Sequence, residues 1–374
     1  MKVSSSINRA SLFISVLLVL SFTNINIAKA QFEDSGEILR SGTNDANLLM
    51  EEYMKPFAKG FGAGLNSGWI NTAGPHPTLG FDVKISLSFA RVPTGDRSFI
   101  VDDLNFKKLE RIEGPEISQT IFGSDRLGPI MGIFGTNPLT GERLELGRFN
   151  MPQGTGYPYV PAPLLQVTMG TVLDTDISVR YSPNVTFNHF SVRLFGIGAR
   201  HGINQWLPAG IDLPFHISVQ AGYTLLNSNY GLEVLPEQAI DIYNSYSIDP
   251  AIWNNQEVAL KSSGLTSNLI IGKKLTFLSI YGGLGIQTSS INLSSPGNYP
   301  ITISNPNYHP AISTEEYRER KIERIEDPIS LSYSGSNIIH SFAGLNVRTS
   351  AFIASASIKY SNYAVLNIGL GVRY

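Results

Sequence analysis

The sequence has no cysteine, which excludes a disulfide framework and a cysteine-borne lipid anchor. Beyond its first 30 residues it has no apolar run near the roughly 20 residues that a membrane helix needs. Charge is scarce as well. Only 16% of the 374 residues are Asp, Glu, Lys or Arg, a low share for a soluble surface. Cations are not in excess, with 28 Lys and Arg against 30 Asp and Glu, so nucleic acid is not an expected partner. Catalytic spacing is also missing. The six histidines, His76, His189, His201, His216, His309 and His340, are scattered, and none belongs to a Gly-x-Ser-x-Gly context or a His-x-x-x-His pair. No enzyme, cofactor or metal site is therefore expected. Asp102-Asp103 is too small a signal for calcium, and the Asn184-Val185-Thr186 sequon is a match that chance supplies often.

The N-terminus has the pattern of an exported protein. Lys2 and Arg9 precede an apolar run from Leu12 to Leu20, and Ala28-Lys29-Ala30 stands before Gln31. Residues 1–30 thus read as a cleaved signal peptide, since the run is too short to anchor as a spanning helix. Its removal takes Lys2, Arg9 and Lys29 and moves the formal net charge from −2 to about −5. No Pro/Ser-rich linker divides the remainder.

The plentiful residues are glycine, at 35, with 16 tyrosines and 19 phenylalanines, a composition of strands and turns. The last eleven residues give the clearest pattern. Leu366, Ile368, Leu370, Val372 and Tyr374 alternate with Val365, Asn367, Gly369, Gly371 and Arg373. Period-two alternation of this length, ending on an aromatic, predicts a strand that crosses a bilayer at barrel tilt. Phe81, Val83, Ile85, Leu87 and Phe89 are expected to face lipid while Asp82, Lys84, Ser86 and Ser88 face inward. The stretch from Phe215 to Leu225 and that from Leu278 to Ile286 repeat the pattern. In Phe190–His201 the spacing predicts Val192 and Leu194 outward and Arg193 inward. A phase slip near Ser262-Ser263-Gly264 predicts a bulge or a missed turn.

One region is helical. Ala46, Leu49, Met50, Tyr53, Met54 and Phe57 share one helix face, with a break at Ser41-Gly42 and a stop at Pro56. Its apolar face needs shelter, either as a plug in the lumen or under the barrel mouth. Phe57–Trp69 reads as a strand with Phe61, Ala63, Leu65 and Trp69 on one face and a bare row of Gly60, Gly62 and Gly64 on the other. Such a row lets the helix approach closely. The proline-rich stretch 92–163 and residues 226–255 and 291–337 are expected to be long loops on one side, with a short helix after Ser313-Thr314-Glu315-Glu316. The expected fold is therefore all-β, a transmembrane antiparallel β-barrel with a helical plug at 31–56 and the barrel over 57–374. Eleven strands are countable. A bacterial barrel takes an even number, which gives an expectation of 12 to 14.

Gln31-Phe32-Glu33-Asp34, Asp45-Ala46-Asn47-Leu48-Leu49, Tyr53-Met54-Lys55-Pro56-Phe57, Gly62-Ala63-Gly64-Leu65-Asn66-Ser67-Gly68-Trp69 and the run from Gly196 to Pro208 resemble a family of uncharacterised outer-membrane barrels from Bacteroidetes. The resemblance covers essentially all of residues 31–374 and implies a location more than an activity. More distantly, a plugged barrel with large outer loops is similar to the long-chain fatty-acid transporter barrels, an analogy of fold alone. The expected location is the bacterial outer membrane. Expected partners are its lipid, the barrel-assembly machinery through the C-terminal strand, and a hydrophobic small molecule.

Passive transport of a hydrophobic or amphipathic small molecule is the leading expectation, with Met50, Tyr53, Met54 and Phe57 as ligand-binding or plug residues. Asp82, Lys84, Arg180, Arg193 and Lys359 are the expected lumen lining. The alternative is a structural or secretion-associated protein that docks partners through its outer loops.

Overall fold

A computed structural model describes residues 38, 39, 41–136, 142–208, 213–236, 242–244, 250–309, 311, 312 and 314–374. The expected signal peptide at 1–30 and the start of the expected plug segment lie outside them. Helix α1 (Thr43–Leu65) precedes β1 (Phe81–Arg91). The first long loop carries β2 (Ser98–Ile100), β3 (Leu109–Glu113), β4 (Ile117–Gln119), β5 (Ile130–Thr136) and β6 (Arg143–Asn150). Next come β7 (Tyr159–Gly170), β8 (Thr175–Phe187), β9 (Phe190–Gly202) and β10 (His216–Gly231). The second long loop holds β11 (Ile242–Tyr243) and leads to β12 (Glu257–Lys274) and β13 (Leu278–Ser294). The third holds β14 (Asn298–Ser304) and β15 (Arg320–Glu326), and the chain ends with β16 (Ser330–Arg348), β17 (Phe352–Tyr360) and β18 (Ala364–Arg373).

Ten of these strands close an antiparallel barrel in the order β1-β18-β17-β16-β13-β12-β10-β9-β8-β7. The terminal strand completes it, running beside β1 from Asp82 opposite Arg373 to Arg91 opposite Ala364. Closure gives every strand two neighbours, as a spanning sheet requires, although β7 and β8 pair with each other only from Gln166 opposite Arg180 to Gly170 opposite Asp176. The outer surface is apolar, with Phe195, Ile197, Leu269, Ile280, Leu284 and Leu370 all exposed at about half or more of their area. Such a belt around a closed barrel is that of a membrane-spanning barrel. Short turns at 171–174, 275–277 and 349–351 lie at one end with the 203–215 connection, and the three strand-bearing loops lie at the other.

The expected 12 to 14 strands are corrected to ten. Phe57–Trp69 is not a strand, because α1 continues through Pro56 to Leu65, and the barrel begins at Phe81. A proline inside a helix normally costs a hydrogen bond, and here lumen packing outweighs that cost. The glycines do serve close approach, but on a helix. A Cβ on Gly60 would fall 2.4 Å from Val160 Cγ2, one on Gly64 2.8 Å from Ala162 Cβ, and one on Gly62 2.5 Å from Ser289 Oγ. Gly60 and Gly64 therefore meet β7, while Gly62 meets β13 on the opposite wall. Glycine at alternate positions thins the helix on two sides at once.

Two loop expectations are also corrected. Residues 315–317 form one 3-10 turn and the charged run after them is β15, which buries Ile322 and pairs with β14, so no solvated helix follows residue 314. Ser313 lies outside the described residues. Strand β12 runs without interruption past Ser263, where Gly264 makes room for the Asn66 side chain, and the pairing irregularity falls instead at Gln287/Ser289 of β13.

The N-terminal half of α1 stands among the long loops. Asp45 accepts backbone N–H groups of Lys107, Lys108 and Leu109 at 2.7 to 3.1 Å, and Asn47 bridges Pro328 O and Ser330 N. Ala46 and Leu49 pack there with Val101, Leu109, Met131 and Ile133 into an apolar core. From this cap the chain descends the lumen to the short-turn end, where β1 begins.

Candidate functional site in the lumen

Helix α1 ends with no basic residue in its last turn, so the negative end of the helix dipole meets no local charge, although Ser67 Oγ donates to Ala63 O at 2.7 Å and the Asn66 and Ser67 N–H groups to Gly62 O and Gly64 O. The barrel wall provides the cations. Lys359 Nζ donates to Ala63 O at 2.8 Å and Arg180 to Leu65 O at 2.8 Å and Ser67 O at 2.6 Å. Lys84 Nζ donates to Gly68 O at 2.8 Å. The descending chain is held in the same way, with Trp69 O taken by Gln166, Ile70 O by the Tyr281 hydroxyl and Ala73 O by Ser218. The Arg180 guanidinium also lies 3.7 Å from the centre of the Trp69 ring, a cation–π contact.

Nearer the short-turn end, His76 lies between two carboxylates. Its Nε2 is 2.9 Å from Asp82 and its Nδ1 3.1 Å from Asp176, while its backbone N–H donates to Asp176 at 2.9 Å. Arg200 pairs with Asp176 and donates to Thr72 O, and Asn71 donates to Asp82. Burial alone would lower the His76 pKa, but the hydrogen bonds and charges of Asp176 and Asp82 outweigh it and hold it above the usual imidazole value. The cluster fastens the segment between α1 and β1 to the wall.

Four expected lumen residues, Asp82, Lys84, Arg180 and Lys359, are buried in the lumen, and each holds or neutralises the plug rather than lining an open path. Arg193 is a correction. It is exposed on the outer surface, while Val192 and Leu194 turn inward, because at that height the lumen is filled by Phe61 and Leu65 of α1 and the inward face must be apolar. Met50, Tyr53, Met54 and Phe57 lie on the helix as expected, but they pack it. Tyr53 is buried and donates to Gln153 O, Phe57 stacks on Phe61 at 5.5 Å, and Met50 and Met54 pack against the core.

None of those four lines either of two small cavities in the lumen. One, of about 10 Å³, lies against Leu65 and Val192, and the other, of about 30 Å³, lies beside Trp69, His340 and Lys359. Spaces of that size hold a water molecule or two, whereas a small organic ligand occupies hundreds of cubic ångströms. Among the described residues no group of three His, Asp or Glu is placed to hold a metal ion. Asp176 and Arg200 sit at inward positions of β8 and β9, so strand phase alone points to them. His76, in the stretch before β1, gives no such signal.

No curated protein matches the sequence. Three solved structures similar to it are distant. Ail, the attachment invasion locus protein of Yersinia pestis, is 11% identical with a TM-score of 0.24 over 80% of this chain and 100% of its own. The translocator domain of autotransporter NalP from Neisseria meningitidis is 10% identical with a TM-score of 0.25 over 85% of this chain and 92% of its own. The outer membrane protease OmpT from Escherichia coli is 10% identical with a TM-score of 0.23 over 82% and 97%. With a family profile that matches residues 8–374, nearly its whole length, the chain belongs to the family of unknown function DUF6588.

Proposed function

We propose that this protein is a platform in the bacterial outer membrane, a plugged barrel that holds a folded cap of long loops outside the cell for docking other envelope components. The observation that carries this reading is the filled lumen. Wall cations bond the carbonyls at and beyond the end of α1, and the two cavities beside it are water-sized. The loops at the opposite end are not slack connections, because they build three small sheets around a core shared with α1. Outer-membrane barrels carry their long loops outside and their short turns in the periplasm, which orients the chain. Export through a signal peptide at 1–30 and insertion by the barrel-assembly machinery through β18 belong to the same reading.

Transport of a hydrophobic or amphipathic small molecule is the competing reading, and it requires α1 to leave the lumen. Planar-bilayer conductance of the refolded protein separates the two. Silence in the full-length protein, with conductance only in a variant lacking the Lys84, Arg180 and Lys359 cations, supports a platform whose plug stays in place. Steady conductance in the unaltered protein overturns it and puts transport first.

A further inference from the structure

Three cations converge where the barrel meets its short turns. Lys274 ends β12, Arg348 ends β16 on the far side of β13, and Arg373 ends β18. In each strand the neighbouring outward positions are apolar and exposed, Leu269 and Ile271, Leu345 and Val347, Leu370 and Val372, so the pleat turns all three cations to the lumen side. The Arg348 guanidinium reaches the residue next to Lys274, and the Arg373 N–H donates to Ala351 O in the turn that follows Arg348, so the three gather on one stretch of the rim. No ion pair joins any of them to a carboxylate among the described residues. Asp82 lies across from Arg373 in the β1–β18 register, but its carboxylate is engaged by His76 and Asn71. The Tyr374 main-chain oxygen accepts the Phe81 N–H, and Arg348 donates only to Leu275 O, at 3.1 Å. Like charges gathered without a counter-ion repel, and a structure that keeps them together invites an anion.

A second observation points to the same place. Lys274 lies opposite Ser279 of β13, and Ser279 opposite Asn346 of β16, so the three share the inward face in one row. Ser279 is 1% exposed, and its Oγ has no hydrogen-bond partner. A buried hydroxyl without an acceptor is costly, and an anion held by the cations would supply one. Depth identifies the anion. On the outer face of this rim Phe277, Phe352 and Tyr374 are each exposed by 65% or more, an aromatic girdle that marks the headgroup level. Guanidinium forks suit tetrahedral oxyanions.

We propose that Lys274, Arg348 and Arg373, with the Ser279 hydroxyl, form a phosphate-binding site at the periplasmic rim of the barrel. The phosphate comes either from the headgroup of an anionic phospholipid in the adjoining leaflet or from free phosphate in the periplasm. The site stands whether the loops dock partners or the lumen conducts, and rests on the proposed reading only for the orientation that makes this rim periplasmic.

The test uses the full-length protein in neutral detergent, followed by native mass spectrometry with phosphatidylglycerol, with a galactolipid that lacks phosphate, and with inorganic phosphate. Phosphatidylglycerol is expected to bind in preference to the galactolipid, and its affinity to fall on the order of tenfold in K274Q/R348Q/R373Q, which removes three charged donors. Lys261→Gln, exposed at the other end of β12, is expected to bind as the parent does. Inorganic phosphate that binds and displaces the lipid identifies free phosphate as a source, and lipid binding without phosphate binding identifies the headgroup. Should the triple variant fail to fold, Arg373→Gln at the last residue of its strand is measured alone, with a smaller loss expected. Equal binding of both lipids without phosphate binding, or unchanged binding in the folded variants, overturns the proposal.

Discussion

A buried lysine or arginine in a barrel lumen is commonly read as a selectivity filter, but Lys84, Arg180 and Lys359 spend their donors on main-chain carbonyls of the plug. The distinction is measurable. Arg180→Met leaves Leu65 O and Ser67 O without their charged donor and removes the contact with Trp69, at a cost of about 1 to 3 kcal/mol for the unsatisfied groups. It should lower the temperature at which the folded band is lost in a heat-modifiability gel, whereas Arg193→Gln, exposed outside, should leave that temperature unchanged. Equal melting of the two variants would rule out the anchoring role. His76 adds a dependence on pH. Its pKa in the folded protein lies above the usual 6.5, so protonated His76 stabilises the fold fully below about pH 6.5, and this contribution disappears as pH rises through the raised value. Melting measured from pH 6 to pH 9 should show a loss of stability with rising pH that His76→Gln largely abolishes. A variant with the same slope as the parent would place the pH dependence elsewhere.

At the scale of elements, the plug helix is where sequence and structure part, and the cause is physical. The strands were legible because one face meets lipid and the other does not, so β1, β10 and β18 show their phase directly in the order of residues. The same logic misled in β9. Its upper half packs on the plug, so Val192 and Leu194 are apolar because they face Phe61 and Leu65, and no local pattern distinguishes that from lipid. In α1 the Gly60, Gly62 and Gly64 row looks like one strand face, because two opposing walls press on the helix at positions two apart. Pro56 reads as a stop, since local propensity knows nothing of the surrounding barrel. The site residues were legible only where strand phase exposed them, as for Lys84 and Arg180, while the role of each depends on a helix end contributed from elsewhere in the chain. Gly62→Leu tests the tightness of this fit. Its Cβ alone would come within 2.8 Å of the Ser289 Cβ, so α1 should shift and the refolded barrel begin to conduct in a planar bilayer, or the protein should lose its heat-resistant folded band. Gly95→Ala, with nothing within 4 Å of the added carbon, should behave as the parent. A silent, normally stable Gly62→Leu protein would mean that the helix is not clamped between β7 and β13.

At the scale of the whole molecule, the chain passes through its own barrel. Asp45 and Asn47, near the start of α1, are bonded to the long loops, Gly68 to Ala73 are bonded to the wall within the lumen, and β1 begins at the end with the short turns. The start of the helix therefore lies on the same side as the loops. If those loops face the outside, Asn44 does too, although export through the proposed signal peptide would bring the N-terminal end into the periplasm first. Insertion would have to carry the helix start outward through the closing barrel, leaving the cap and α1 to fold around each other after or during closure. The absence of cysteine makes this readily testable, since an introduced thiol is the only one in this chain for a maleimide to label. Asn44 and Ser350 are both exposed, one beside the loop cap and the other in the turn between β16 and β17. Asn44→Cys should react with a membrane-impermeant maleimide on intact cells, and Ser350→Cys only after the outer membrane is permeabilised. The reverse pattern would turn the barrel over and move the loop cap into the periplasm. Labelling of both thiols only after permeabilisation would bring the helix start in from the periplasmic side, which the Asp45 and Asn47 bonds to the loops do not permit in this fold.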